Sequence, residues 1–456
     1  MTNQKKELDM CHGPLAGKIL IYTVPLILTG ILQLLFNAAD TIVVGKFAGG
    51  DALAAVGSNG ALINLIVNLF MGLSVGASVS VSHAWGAKND SAVHRIVHTA
   101  MLTALIGGVA VMLVGFFGCR LFLTWMGTPL NVIDLSTVYM RIYFLGMPAC
   151  MVYNFGASIL RSIGDTKRPM YFLVIAGIVN VVLNLILVIV FHLSVAGVAI
   201  ATAVSQVVSA VLVVRCLMKQ TNACRFSIRE MRIYPDHLRT IMRIGLPAGL
   251  QSSLFNLSNV FIQSSINSFG SIAMEGNTAA SNLEGFIYIS MNAFYHAALT
   301  FVGQNIGARQ YHRIRRIVFS CIGLVCAVGM AMGFLIYSLR EPLLMIYTKD
   351  SLDMIPYGVE RMQCIATTYF LCGIMEVLVG AVRGMGASFV PMINSLIGAC
   401  AFRVVWICTV FAAYRNLQVL YLSWPASWIL TILLQGVAFA VIYHRFMKRH
   451  GTALAE

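Results

Sequence analysis

The sequence predicts an all-α integral membrane protein, with twelve transmembrane helices in two six-helix lobes related by an internal duplication. Three observations carry this reading. Hydrophobic residues make up 59% of the 456-residue chain and charged residues only 11%, against about 25% charged in a soluble domain, and the apolar residues gather in runs of about 20 or more, the length that crosses a bilayer as a helix. The second half repeats the first in order at an offset of about 222 residues: Pro25 is echoed by Pro247, Asn37 by Asn259, Gly86-Ala87 by Gly307-Ala308, and the stretch from Arg161 to Pro169 by that from Arg383 to Pro391. The Lys and Arg residues, finally, crowd into alternate loops.

The first lobe, residues 1–218, holds apolar runs at 19–44, 53–81, 93–118, 132–160, 169–191 and 195–217. The second, residues 240–456, holds runs at 240–268, 277–302, 314–339, 357–382, 390–413 and 419–444. An even number of spans per copy makes both copies enter the membrane from the same side, which is the plan of parallel-repeat transporters with the substrate site where the lobes face each other. Run one is too long for a signal-peptide core and lacks a cleavage site, so it is expected to be retained. Runs one and seven carry Pro25 and Pro247 early, where the missing backbone donor predicts a kink, and these two are candidate hinges. Gly72 and Gly76, Gly245 and Gly249, and Gly329 and Gly333 are each spaced by four and let helix backbones approach closely in lipid. Residues 219–239 form the one extended polar segment and join the lobes.

If Met1 is cytoplasmic, 23 of the 31 Lys and Arg fall on the cytoplasmic side, among them Lys5, Lys6, Lys18, Lys88, Arg95 and the basic residues of the connector, while the acidic loop around Glu341, Asp350 and Asp353 falls outside. This asymmetry predicts that both termini and the connector are cytoplasmic, and it accounts for the net charge of +14 without nucleic acid. The default location is the plasma (inner) membrane of a bacterium, with membrane lipid as the surrounding partner. The eleven cysteines contain no Cys-x-x-Cys pair and mostly sit inside apolar runs, so neither a metal site nor a disulfide framework is expected.

A charge in hydrocarbon costs at least about 2.5 kcal/mol, which makes every intramembrane acid a functional candidate. Asp40, Glu284 and Glu376 qualify, with Arg403 as a basic counterpart. Thr29, Gln33, Asn37 and Asp40 share one face of the first helix. Asn180 and Asn184 are an i, i+4 pair in run five, and with Thr202 and Asp40 they would surround a proton or a small cation with oxygens. In the second lobe Ser252, Asn256, Asn259 and Gln263 stripe run seven, and Glu284, Tyr288, Met291 and Tyr295 stripe run eight. Carboxylate, aromatic ring and thioether together suit flat organic cations or amphiphiles; interhelical hydrogen bonding and core packing are the alternative at each position. Glu376 takes the place that Asn154 has in the first copy, and either adds to that cavity or pairs with Arg403. His83, His94, His98, His237 and His312 fall near run ends and are expected in solvated or interfacial loops, whereas His296 lies in run eight as a possible titrating group. No phosphate-binding Gly-x-x-x-x-Gly-Lys-Ser/Thr, His-Glu-x-x-His or nucleophile elbow occurs, so no enzyme, bound cofactor or catalytic metal is expected and transport must draw on a proton or sodium gradient.

Five segments in order, from Asn37 to Phe47, Ala52 to Gly57, Arg161 to Pro169, Gly303 to Ala308 and Arg383 to Gly386, resemble the multidrug and toxic compound extrusion (MATE) transporters over nearly the whole chain. The resemblance implies export of organic, often cationic, compounds in exchange for inward protons or sodium, by a monomer. It places the family's first-lobe cation site on Asp40, Asn180, Asn184 and Thr202, although many prokaryotic relatives carry Asp where this chain has Asn184. A second-lobe acid pair of another branch falls on Phe255 and Cys372, so that site is expected to be absent, and Ser162 stands where the family usually has Gly. The implied function is a secondary active multidrug exporter coupled to protons rather than sodium; the alternative is a lipid-linked saccharide or lipid flippase of related architecture.

Overall fold

A computed structural model describes residues 8–48, 50–347 and 352–451; Lys5, Lys6 and Asp350 of the loop count lie outside them. All regular structure among these residues is helical. The first repeat folds as α1 (Leu15–Phe47), α2 (Gly50–Gly86), α3 (Asp90–Trp125), α4 (Leu130–Leu145), α5 (Met147–Ser162), α6 (Lys167–Leu185) and α7 (Ser194–Met218). The second folds as α8 (Pro235–Asn267), α9 (Ser271–Gly307), α10 (Tyr311–Ser338), α11 (Arg340–Met345), α12 (Ile355–Cys364), α13 (Tyr369–Gly384), α14 (Phe389–Ser395), α15 (Phe402–Trp406), α16 (Leu417–Tyr421) and α17 (Ser423–Gly451).

These helices account for the twelve expected runs, with breaks that hydropathy does not show. The run at 132–160 is two helices, α4 and α5, bent by 46° at Gly146, where Pro148 withholds a backbone donor from the next turn. The run at 357–382 is interrupted between α12 and α13 by a single 3₁₀ turn, Ala366–Thr368. Wider π-helical turns occur at Ile186–Val190, at its repeat counterpart Ile407–Phe411, and additionally at Leu396–Ala401. Among the described residues nine spans are long and apolar enough to cross a membrane, and the bent α4–α5 pair makes a tenth. Helices α8 and α9, of 33 and 37 residues, have the length, but their amide, hydroxyl and carboxyl side chains dilute their hydropathy. The polar connector is shorter than its composition suggests, because Pro235 and Asp236 start α8 inside it, as expected of a first-turn proline followed by an acid.

The chain forms two compact units. One contains Leu28–Gly249 together with Leu8, the other Asp9–Ile27 and the chain from Leu250 onward. Both α1 and α8 are therefore divided between the units, and each division falls two residues beyond its proline, at Ile27 after Pro25 and at Gly249 after Pro247. The first unit is built around buried Phe144, Met147, Met151, Phe155 and Leu160. Within it the opening turns of α8 lie directly on α2: Gly72 faces the backbone of Gly249 and Gly245, and Gly76 faces Ile241. The second unit is centred on aromatic residues including Phe411, Tyr421 and Trp428. There Tyr22 of α1 is fully buried, hydrogen-bonded to Thr300 at 2.9 Å and packed edge-on against Phe301 of α9.

A methyl group at Gly72 would meet backbone, which cannot rotate away. Gly72→Ala is expected to lower the melting temperature of the detergent-solubilised protein, at a cost of about 1–3 kcal/mol for overpacking, while Gly60→Ala, where a methyl group meets nothing within 4 Å, leaves it unchanged; thermal unfolding of the two variants checks this.

Candidate functional site

The polar residues of the first unit converge by helix periodicity. Asp40 sits seven residues before the end of α1, Asn180 and Asn184 occupy successive turns of α6, and Thr202 lies in the third turn of α7. Asn184 Nδ2 donates to Asp40 Oδ1 and lies 3.4 Å from Asn180 Oδ1; Asn180 Nδ2 in turn donates to Thr202 Oγ1 at 3.5 Å, and the Thr202 hydroxyl donates to the Val198 carbonyl at 3.0 Å. All four residues thus form one hydrogen-bonded chain from α1 to α7. Asn180 and Asn184 are buried, whereas Asp40 and Thr202 keep partial access. One atom is left over. Asn184 is 1% exposed and its Oδ1 accepts no hydrogen bond; an acceptor stranded in this way costs about 1–3 kcal/mol. The amide has spent its donor on the carboxylate and on Asn180, so the site is rich in oxygens and short of hydrogens. Tyr139, 8% exposed, and Tyr143 stack beside it.

The remaining first-unit candidates take other roles. Gln33 and Asn37 are exposed on α1, and the Asn37 carbonyl accepts the Thr41 hydroxyl at 2.9 Å. Asn154 is half-buried and its amide is spent on the Cys150 carbonyl at 2.8 Å.

In the second unit three expectations are corrected. Glu284 is not a free cavity carboxylate: it is 3% exposed and held by Arg361 through two bonds, Nε to Oε1 at 3.0 Å and Nη2 to Oε2 at 2.7 Å. Arg361 Nη1 also donates to Asn277 at 2.6 Å, and Asn277 donates to Gln263 at 3.2 Å, so Gln263 and Glu284 belong to one network whose centre, Arg361, went unnoticed in run ten. Met291 does not line a cavity; it is fully buried, because glycines at 329 and 373 leave room for its sulfur. Arg403, considered as a partner for Glu376, instead donates from Nε to Ser427 at 2.9 Å and lies 5.2 Å from the Trp424 ring, which Arg361 also approaches at 5.2 Å. The buried guanidiniums are spread over an aromatic face, where cation–π attraction offsets part of their desolvation. Glu376 is half-buried with no ion pair among the described residues, and Tyr288, one turn after Glu284 on α9, is 43% exposed. Asn256 is half-buried and Asn259 exposed on α8. His296 is half-buried beside Tyr295, at 5.0 Å between ring centroids.

The other histidines also depart from expectation. His83, His94, His98, His237 and His312 all belong to helices, and His98 is fully buried.

Comparison with known proteins agrees with this architecture. A family model described as MatE matches residues 25–186 and 247–409, one segment in each repeat. The chain is 27% identical over 424 residues to the "Probable multidrug resistance protein YoeA" of Bacillus subtilis, with 91% of each chain covered. It is 24% identical over 456 residues to a protein of Shewanella oneidensis described as "FAD transporter", covering 96% of this chain and 97% of that one. A solved structure of a multidrug resistance MATE family transporter in an outward-facing conformation matches with a TM-score of 0.91 at 20% identity, over 98% of this chain and 100% of the other. The fold is that of these transporters.

Removing one member of the Glu284–Arg361 pair leaves the other charge buried alone. Arg361→Ala is expected to destabilise the protein by about 3–5 kcal/mol, and Glu284→Gln to act in the same direction; a loss of cation export by Glu284→Gln at unchanged melting temperature would instead give this carboxylate a substrate role.

Proposed function

The chain belongs to the MatE family, and from that premise we propose that it is a secondary active exporter of organic compounds, driven chiefly by an inward proton gradient that loads at Asp40. The observation that supports this reading is the oxygen-rich chain of Asp40, Asn184, Asn180 and Thr202 with its stranded Asn184 Oδ1. A proton on Asp40 or a small cation beside it would supply what the site lacks. A sodium ion favours several hard oxygen ligands and gains from more than one carboxylate; here position 184 provides an amide, and Asp40 is the one acid of the group. A proton needs a single carboxyl group, held in place and reached by water, which the partial exposure of Asp40 allows.

Alternating access follows from bending α1 and α8. Pro25 and Pro247 remove one backbone bond each, and the compact units change over two residues beyond them, so a bend there moves each helix without unfolding it. The orientation is that of a bacterial inner-membrane protein with both termini and the connector cytoplasmic, working as a monomer. Organic cations and amphiphiles are the substrates this reading favours, drawn by the Glu376 carboxylate and the Tyr288 ring of the second unit.

The experiment is efflux from reconstituted vesicles under separately imposed proton and sodium gradients, with a fluorescent cation, a neutral dye and a flavin dinucleotide as substrates. Proton-driven efflux of the cation is expected, reduced to background by Asp40→Asn while substrate still binds, and Asn184→Asp should make a sodium gradient effective. Sodium-driven efflux at symmetric pH by the unmodified protein would overturn proton coupling; flavin export without cation export would overturn the substrate class.

A further inference from the structure

At the start of the apolar run of α3, the connector between the repeats folds back on it. His94 and His98 stand one turn apart on α3, and Glu230 closes the short 3₁₀ turn Ile228–Glu230 that the connector places against them. His94 Nε2 lies 3.0 Å from Glu230 Oε2. One ligand atom from each of the three residues fits within 4.8 Å of the others. His98 Nδ1 is 2.8 Å from the His94 carbonyl, so its N–H donates there and Nε2 carries the lone pair, pointed at the connector, where it accepts the Ser227 N–H at 3.1 Å. A backbone carbonyl that fixes the ring and tautomer of a histidine is the usual support behind a metal ligand.

We propose that His94, His98 and Glu230 form a site for a borderline divalent transition-metal ion of the zinc class, which would pin the connector to α3. Two imidazoles, one carboxylate and an open position match the donor set and coordination number of such an ion. The surroundings select against harder ions. Arg95 and Arg232 flank the site, each over the Tyr234 ring at 5.7 and 5.8 Å, so a magnesium or calcium ion, held mainly by charge and by many oxygens, finds one carboxylate among cations. His94 and Glu230 are 39% and 59% exposed, which gives the ion an entry path, while His98 is fully buried and forms the floor. Binding takes the Nε2 lone pair from the Ser227 N–H. Ser227, in extended backbone ahead of the turn, would have to turn its N–H away from the ring, so metal binding displaces one backbone hydrogen bond. The remaining ties, such as the Tyr234 N–H donating to Thr99 Oγ1 at 3.2 Å and the Phe226 ring 5.3 Å from that of His98, hold the connector in register.

The test uses tag-free, full-length protein in detergent, titrated with zinc by calorimetry. One equivalent is expected to bind, at least 10-fold more weakly to His94→Ala and to Glu230→Gln, both of which should melt at the unmodified temperature without metal. Zinc, but not magnesium, should slow tryptic cleavage at Arg229 and Arg232 several-fold in the unmodified protein only. Absence of stoichiometric binding, equal affinity in His94→Ala, or competition by magnesium would overturn the proposal.

Discussion

Everything in this structure follows from the absence of hydrogen-bond partners in hydrocarbon. Backbone groups must be satisfied within each segment, so all regular structure among the described residues is helical. Lipid tails are as apolar as leucine and give helices no reason to associate, so packing falls to close backbone approach and to buried polar pairs. Gly72 and Gly76 supply the first where α2 meets α8, and the Arg361 network with Glu284, Asn277 and Gln263 supplies the second. Both are costly to disturb for the same reason: in lipid neither a displaced backbone nor an abandoned charge finds a substitute partner.

The two repeats share a plan and have diverged in chemistry. In the first, a single acid is met by amides and a hydroxyl, a set that can gain and lose a positive charge without breaking an ion pair. In the second, Arg361 is neutralised by Glu284, while Arg383 donates to a tyrosine hydroxyl and a glutamine and Arg403 lies over Trp424. An acid fixed by a guanidinium is poorly suited to cycling through protonation. Of the two intramembrane acids singled out in the second unit, Glu284 is held in this way and Glu376 has no ion pair among the described residues. The duplication therefore supplies the scaffold twice and the amide-lined acid of Asp40 once.

The helices and their order were legible because hydropathy reports spans directly, and the Asp40 cluster was legible because polar residues at helical spacing on three separate runs have few other reasons to exist in lipid. Arg361 was not. It lies near the start of a run whose average hydropathy hides one charge, and its partner Glu284 is 77 residues away, a distance no local pattern bridges. Met291 looked like a cavity residue because thioether and aromatic side chains serve cores and pockets equally well; the glycines opposite it decide the matter, and they are far off in sequence. His98 was misplaced because a histidine near the start of a run reads as a loop residue, whereas α3 begins at Asp90, with Asn89 accepting the Ala92 N–H at 3.0 Å, and His98 lies in its third turn. Asn89-Asp90-Ser91 is a helix start that capping preferences alone reveal.

The same overhang explains why the division of α1 and α8 matters. A proline inside a long membrane helix would ordinarily be tolerated by packing the kink against one set of neighbours. Here the turns before Pro25 and those after Ile27 belong to different packed bodies, as do those before and after Gly249, so each helix is anchored on both sides of its weakest backbone point. Tyr22 is locked to Thr300 on one side of the first kink, and Asp40 to Asn184 on the other. On the reading proposed above, a change of charge at Asp40 would act on α1 beyond its proline, where the helix leaves the unit that holds Asp40.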